Sequence, residues 1–218
     1  MNSSDRIRVT GLILAGGQSR RMGPAFAGMR GGDKGLLDLA GKPMLAHVIA
    51  RLRAQVDCMV INANGDPERF ATFGLPVVAD TVQGFVGPLA GVLAGMRWSA
   101  ANAPAATHVA SVSADAPLVP ANLVERLSSA AMKRPGAIAL AASGGEMHPV
   151  IGLWPVALAD DLEAALRAGV RKVLAWTDRH GTLPVEFPFV EIKGRQIDPF
   201  FNANTPEELD EARRLLQL

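Results

Sequence analysis

Cysteine is almost absent from this chain of 218 residues, in which Cys58 stands alone. One thiol cannot build a disulfide framework within the chain, so the fold must rest on burial, as expected in a reducing compartment. An excess of charge of one sign is missing too. Lys and Arg number 22 against 21 Asp and Glu, a net charge of +1. That leaves no basic footprint for nucleic acid, and any anion site must be local. Long hydrophobic runs are lacking as well: none approaches the roughly 18 uncharged apolar residues of a membrane span. Met1-Asn2-Ser3-Ser4-Asp5-Arg6 has no apolar core of a signal peptide. A soluble cytoplasmic protein is the expectation. With no internal repeat, low-complexity tract or linker, residues 1–218 are expected to form one domain.

What is present begins with glycine. The apolar run Gly11-Leu12-Ile13-Leu14 stops at Ala15-Gly16-Gly17, and a long loop with Arg20, Arg21, Gly23, Gly31 and Gly32 leads to Asp33-Lys34-Gly35. A buried strand emptying into such a loop brings backbone N–H groups close to phosphates, because glycine has no Cβ and accepts φ > 0. Arg20, Arg21 and Lys34 supply the positive charge. The loop is not a Walker A motif: Gly35 to Gly41-Lys42 has five intervening residues, and Pro43 replaces Ser or Thr. No G-x-G-x-x-G follows the first strand either.

Strand-like and helical segments then alternate. Arg6–Leu14 reads as a strand, and Pro43 opens a helix with Leu45, Val48, Ile49 and Leu52 on one face. Cys58–Ile61 completes a βαβ unit. Leu75–Asp80 reads as a short strand, Gly87-Pro88 opens a helix, and His108–Ser113 is the next strand. A helix is expected from Pro120, strands over Ala137–Ala142 and Pro149–Leu153, and helices over Ala157–Ala168 and Val170–Trp176. Leu183–Phe187 and Val190–Ile192 read as short strands, with Pro184 and Pro188 favouring sheet edges. Thr205-Pro206-Glu207-Glu208 is a capping box ahead of the last helix. The alternation predicts an α/β fold with a mostly parallel sheet covered on both faces. Ligands of such sheets sit beyond the carboxyl ends of the strands, where Leu14, Asn62, Asp80 and Asp115 all fall.

Each candidate also has a plainer reading. Asp115 fits a turn cap, but a carboxylate just past a strand and before Ala116-Pro117 suits Mg²⁺ among phosphates. Asp80 fits a cap equally well. Asn202 and Asn204 are common turn residues, and His148 by itself reads as structural. No zinc-ligand spacing, nucleophile elbow or obvious Ser-His-Asp arrangement is present, so the chemistry reads as charge positioning.

Leu14-Ala15-Gly16-Gly17-Gln18-Ser19-Arg20-Arg21-Met22-Gly23, followed by Asp33-Lys34-Gly35-Leu36, resembles the opening of the molybdenum cofactor guanylyltransferases. The resemblance continues in order through Gly41-Lys42-Pro43, Asn62-Ala63-Asn64, Gly87-Pro88-Leu89-Ala90-Gly91, His148-Pro149 and Asn202-Ala203-Asn204-Thr205-Pro206-Glu207-Glu208-Leu209. It implies a three-layer, Rossmann-like nucleotidyltransferase fold. The implied reaction joins GTP to Mo-molybdopterin with Mg²⁺, giving the guanine dinucleotide cofactor and pyrophosphate. By the same resemblance Leu14, Ala15, Gly16 and Gly17 hold the nucleotide and Lys34 contacts its phosphates. Asn62 and Asp80 lie in the guanosine pocket, Asp115 ligates Mg²⁺, and Arg21, Asn202 and Asn204 belong to the site. Transient contacts with other cofactor-biosynthesis proteins or recipient apoenzymes are also implied. A cytidylyltransferase for the same pterin and a non-catalytic nucleotide- or pterin-binding module are the alternatives. One departure stands out: Pro24–Arg30 inserts seven residues between Gly23 and Gly31, an inert bulge or a lid.

Overall fold

Residues 7–16, 33–82, 84 and 87–216 are described by a computed structural model. The apolar segment ending at Leu14 forms β1 (Val9–Leu14), central in a seven-stranded sheet. A ribbon of β2 (Asp38–Leu39) and β3 (Lys42–Pro43) precedes α1 (Met44–Arg53), then come β4 (Cys58–Asn62) and β5 (Val77–Val78). The chain crosses back through α2 (Pro88–Asn102) to β6 (His108–Ser113), followed by α3 (Leu123–Lys133), β7 (Ile138–Ser143) and β8 (Glu146–Pro155). Helices α4 (Ala159–Arg167) and α5 (Val173–His180) lead to β9 (Thr182–Glu186), a ribbon of β10 (Val190–Ile192) and β11 (Arg195–Ile197), and α6 (Pro206–Leu216).

The sheet order is β5-β4-β1-β6-β8-β7-β9. All neighbours run parallel except β8, which is antiparallel to both β6 and β7. The expected mostly parallel α/β sheet is therefore observed. Successive strand residues face opposite sides, and the core divides accordingly. Val9 and Ile13 of β1, with Ala139 and Ala141 of β7, pack under α1 and α3. Leu12, Ile138 and Leu140 pack on the other face under α2, α4 and α5. Gly95 of α2 lets that helix sit directly on β1, since a Cβ there would lie 2.6 Å from Leu12 Cδ2. Among the described residues, no helix is long and apolar enough to cross a membrane.

Several boundaries differ from expectation, each for a local reason. Pro43 ends β3 and caps α1 instead of starting it. The helix expected from Pro120 begins at Leu123, where Gln55 Oε1 accepts from Val124 N at 3.0 Å. The helix expected from Val170 starts at Val173 because Gly169 ends α4 in a left-handed turn, with φ 91°. There Gly169 N donates to Leu166 O and Val170 N to Ala165 O, the paired bonds of a Schellman motif. Val190–Ile192 is a strand as expected, but its pairing with β11, and the ribbon of β2 and β3, were not anticipated from the sequence. Each ribbon closes on consecutive positive-φ residues, Ala40-Gly41 (53° and 83°) and Lys193-Gly194 (52° and 74°), the geometry of a type I′ hairpin. Strand β9, with Pro184, lies at the sheet edge as expected.

Candidate active site

Strand order reverses around β1: the chain first adds β4 and β5 on one side, then β6 on the other. The crevice beyond the strand ends opens at such a switch point. In the ladders Leu14 lies opposite Asn62 of β4 and opposite Ser113 of β6. The segments just past these three strand ends build the candidate site.

On the β6 side, a tight turn over Lys34–Leu36 delivers the lysine, and Gly35 packs so closely on Ala114 that a Cβ would lie 3.1 Å from the alanine's. Lys34 Nζ donates to Asp115 Oδ2 at 3.2 Å and to Asn204 Oδ1 at 2.6 Å. Both charged side chains are largely shielded, with 13% and 14% exposed. Ser113 Oγ donates to the other oxygen of Asp115. Asn204 is held by the start of α6. Glu208 Oε2 accepts from Asn204 N at 2.7 Å and from Thr205 N at 3.0 Å, while Glu208 N donates to Thr205 Oγ1 at 3.2 Å. The expected capping box is thus formed, and it doubles as the support of a site residue. Thr205→Ala is expected to lower stability by about 1 kcal/mol, a fall in Tm of roughly 2–4 °C for a domain of this size. An unchanged melting curve would show that the cap contributes nothing. Asn202 Oδ1 is buried and has no hydrogen-bond partner among the described residues. Such an orphaned acceptor is complete once a ligand N–H reaches it.

On the β4 side, Asn62 is buried and its Nδ2 donates to Val78 O at 3.2 Å and to Asp80 Oδ1 at 3.0 Å. Asn64 Nδ2 donates to Asp80 Oδ2 at 2.8 Å, and Asn64 Oδ1 accepts from Asp80 N at 2.9 Å. Helix α2 reaches this pair only because position 91 is glycine: a Cβ there would lie 2.3 Å from Asn62 Oδ1 and 2.7 Å from Leu14 Cδ2. Neighbouring strands are about 4.8 Å apart, so β4 and β6, past whose ends the two clusters stand, are roughly 10 Å apart across β1.

The structure therefore gathers Lys34, Asp115 and Asn204 in one cluster and Asn62 with Asp80 in another. The backbone between them is partly committed. Leu14 O accepts from Ala114 N at 3.1 Å, and Ala15 N donates to Asn62 O at 2.9 Å. Those two groups secure the rim, while no atom of the described residues lies within 4 Å of where a Cβ on Gly16 would stand. Gly17, Arg21 and the Pro24–Arg30 insertion lie outside the described residues. Asn64 and Ser113 were not singled out from the sequence as site residues. The Asn-x-Asn spacing of Asn62 and Asn64 is the signal that could have found the first.

His148 is a structural residue, as its sequence setting suggested. Its Nε2 bonds Ser143 Oγ at 2.6 Å, Ser143 Oγ donates to Asp198 Oδ1 at 2.9 Å, and the ring lies 4.7 Å from that of Phe200. A serine, a histidine and an aspartate do meet here. The hydroxyl gives its proton to the carboxylate, so the histidine is not wired as its base.

The donor set also bears on metal. Among the described residues no three His, Cys, Asp or Glu side chains cluster as a cage. Asp115 instead offers hard carboxylate oxygens, each with acceptor capacity beyond its one hydrogen bond. One carboxylate, completed by phosphate oxygens and water, fits an ion of the Mg²⁺ type.

A three-layer α/β sheet with a lysine–carboxylate pair and a polar Asn/Asp pair at its switch point defines a nucleotidyltransferase-type protein. The chain belongs to the MobA-like NTP transferase family, whose domain profile matches residues 11–182. It is 53% identical to the molybdenum cofactor guanylyltransferase of Bradyrhizobium sp. (strain ORS 278), over 99% of this chain and 96% of that protein. It is 47% identical to the molybdenum cofactor guanylyltransferase of Mesorhizobium japonicum, over 96% of each chain. In fold it is similar to the crystal structure of molybdopterin-guanine dinucleotide biosynthesis protein A from Archaeoglobus fulgidus. That match has a TM-score of 0.69 and 23% identity, covering 94% of this chain and 97% of the other.

Proposed function

We propose that this chain is a cytoplasmic guanylyltransferase that moves GMP from GTP to the terminal phosphate of Mo-molybdopterin, releasing pyrophosphate. The observation that carries this reading is the pair of polar clusters on either side of β1, the Lys34–Asp115 ion pair with Asn204 on one side and Asn62 with Asp80 on the other. Asp80, held by Asn62 and Asn64, has spare lone pairs for adjacent N–H donors. Guanine presents such donors on its pairing edge, whereas cytosine presents mainly acceptors there. Leu14, Ala15, Gly16 and Gly17 are assigned to the nucleotide between base and phosphates.

At the other end, one phosphate oxygen of the pterin attacks the α-phosphorus of GTP while the bond to the β-phosphate oxygen breaks. Negative charge grows on the α-phosphate and the departing pyrophosphate, and preplaced cations stabilise it. Lys34 serves the leaving phosphates and Arg21 assists. Asp115 would hold Mg²⁺, whose charge neutralises and aligns phosphate oxygens when bound. The attacking phosphate is already ionised, its second pKa being about 6, so no side chain need act as a base. Asn204 keeps Lys34 aimed, and Asn202 Oδ1 is available to a substrate N–H.

Incubating the protein with Mo-molybdopterin, Mg²⁺ and either GTP or CTP, and following pyrophosphate and dinucleotide, tests this. The expected result is turnover with GTP. Turnover with CTP alone would make it a cytidylyltransferase, and none with either would make it a binding module.

A further inference from the structure

We infer that Arg69 is a positioning residue that ties the nucleoside end of the site to its phosphate end. The inference rests on the nucleotidyl-transfer reading above. Arg69 lies outside both clusters, in the 3₁₀ stretch Pro67–Phe73 that follows β4. Its guanidinium nonetheless spends all three nitrogens on the segments that carry them. Nη1 donates to Asp33 Oδ2, Nη2 to Asn64 O at 2.6 Å and Nε to Asp66 O at 2.9 Å. Asp33 is the residue before Lys34, and Asn64 is the residue whose side chain clasps Asp80. A single planar fork therefore joins the neighbour of the phosphate-binding lysine to the support of the base-binding carboxylate.

The fork is itself held. The stretch is capped by Asp66 Oδ1, which accepts from Glu68 N at 3.0 Å, and the guanidinium lies 5.3 Å from the Phe70 ring centroid, a residue of the core. Gly65 allows the chain to bend over Arg69 with φ 86°, where a Cβ would come within 3.4 Å of Nη2. The ion pair is mostly shielded, with 22% of Arg69 and 11% of Asp33 exposed. Burial pushes the Asp33 carboxyl up from its ordinary pKa, and Arg69 opposes that shift. Without the guanidinium, Asp33 is a partly buried carboxylate with no ion-pair partner among the described residues, and it relaxes by turning toward water. Lys34, one peptide away, turns with it. Lysine at position 69 restores a charge but not a fork able to reach Asp33, Asn64 and Asp66 together.

The test is a double-mutant cycle read in kcat and in the affinity for magnesium pyrophosphate, with melting curves alongside. Arg69→Gln is expected to keep its fold and to lose about tenfold or more in kcat and in pyrophosphate affinity. Arg69→Lys recovers only part of that loss. In the Lys34→Ala background the same Arg69→Gln change costs less than about twofold, because the residue it positions is gone. An equal penalty in both backgrounds, or wild-type values in Arg69→Gln, overturns the inference. Should Arg69→Gln melt far below wild type, the cycle is run with Arg69→Lys and read the same way. Failure of the guanylyl-transfer reading shows separately, as wild-type protein that does not turn GTP over.

Discussion

Asp115→Ala is expected to remove magnesium-dependent guanylyl transfer, with kcat down by on the order of 10³-fold or more. A metal at a phosphoryl centre contributes several kcal/mol of charge stabilisation, and each 1.36 kcal/mol is about a factor of ten in rate. Asp115 is the carboxylate paired with Lys34, and its backbone also anchors the α6 approach, since Ala203 N donates to Asp115 O at 3.1 Å. That backbone contact survives the substitution, as does the 2.6 Å bond from Lys34 to Asn204. The fold should therefore persist, with a fall in Tm of only a few degrees. Asp115→Asn is the sharper variant. It keeps the shape and an acceptor for Ser113 but drops the negative charge, so its loss isolates charge from packing. Steady-state rates across a Mg²⁺ titration are the measurement. Activity within tenfold of wild type in both variants would exclude a metal-holding role.

Gly91→Ala adds one methyl group and is expected to raise the KM for GTP by roughly tenfold, within a range set by the about 1–3 kcal/mol cost of overpacking. The new Cβ would stand 2.3 Å from Asn62 Oδ1. Asn62 has little freedom to yield, because its Nδ2 is held by Val78 O and Asp80. The strain is thus passed to Asp80, the acceptor proposed for guanine. Gly95→Ala, one turn further along α2, is the control. It collides with Leu12 in the core, 2.6 Å from Cδ2, and should lower Tm without a selective change in GTP affinity. Equal effects of the two substitutions on KM would mean that Gly91 matters only for helix packing.

Much of the rim was legible before any coordinates. Asn62, Asp80 and Asp115 fall at or just past strand ends and Lys34 follows the glycine-rich stretch, while Asn204, by itself a common turn residue, was assigned to the site only through the family resemblance. Their pairing was not legible. Lys34 meets Asp115 and Asn204 across sequence separations of 81 and 170 residues, and no local periodicity encodes such a contact. Arg69 was not singled out because a surface-looking arginine carries no distinctive spacing, and the Asn-x-Asn spacing of Asn64 with Asn62 gains its meaning only once Asp80, 16 residues on, is seen bonded to both. Gly91 entered the sequence reading only as the last residue of the Gly87-Pro88-Leu89-Ala90-Gly91 segment; the proximity of Asn62 shows why it has no side chain.

By itself the sequence determined whatever depends on neighbours along the chain. Apolar runs alternating with segments of 3.6-residue period set the layers, and Thr205 with Glu208 set the start of α6. Tertiary structure alone decided the order β5-β4-β1-β6-β8-β7-β9, the reversed direction of β8, and hence which side chains share the crevice. The physical reason is one of range. Capping and turn preferences act over a few residues, whereas burial of the two sheet faces is a property of the whole chain, and that burial brings position 34 to positions 115 and 204.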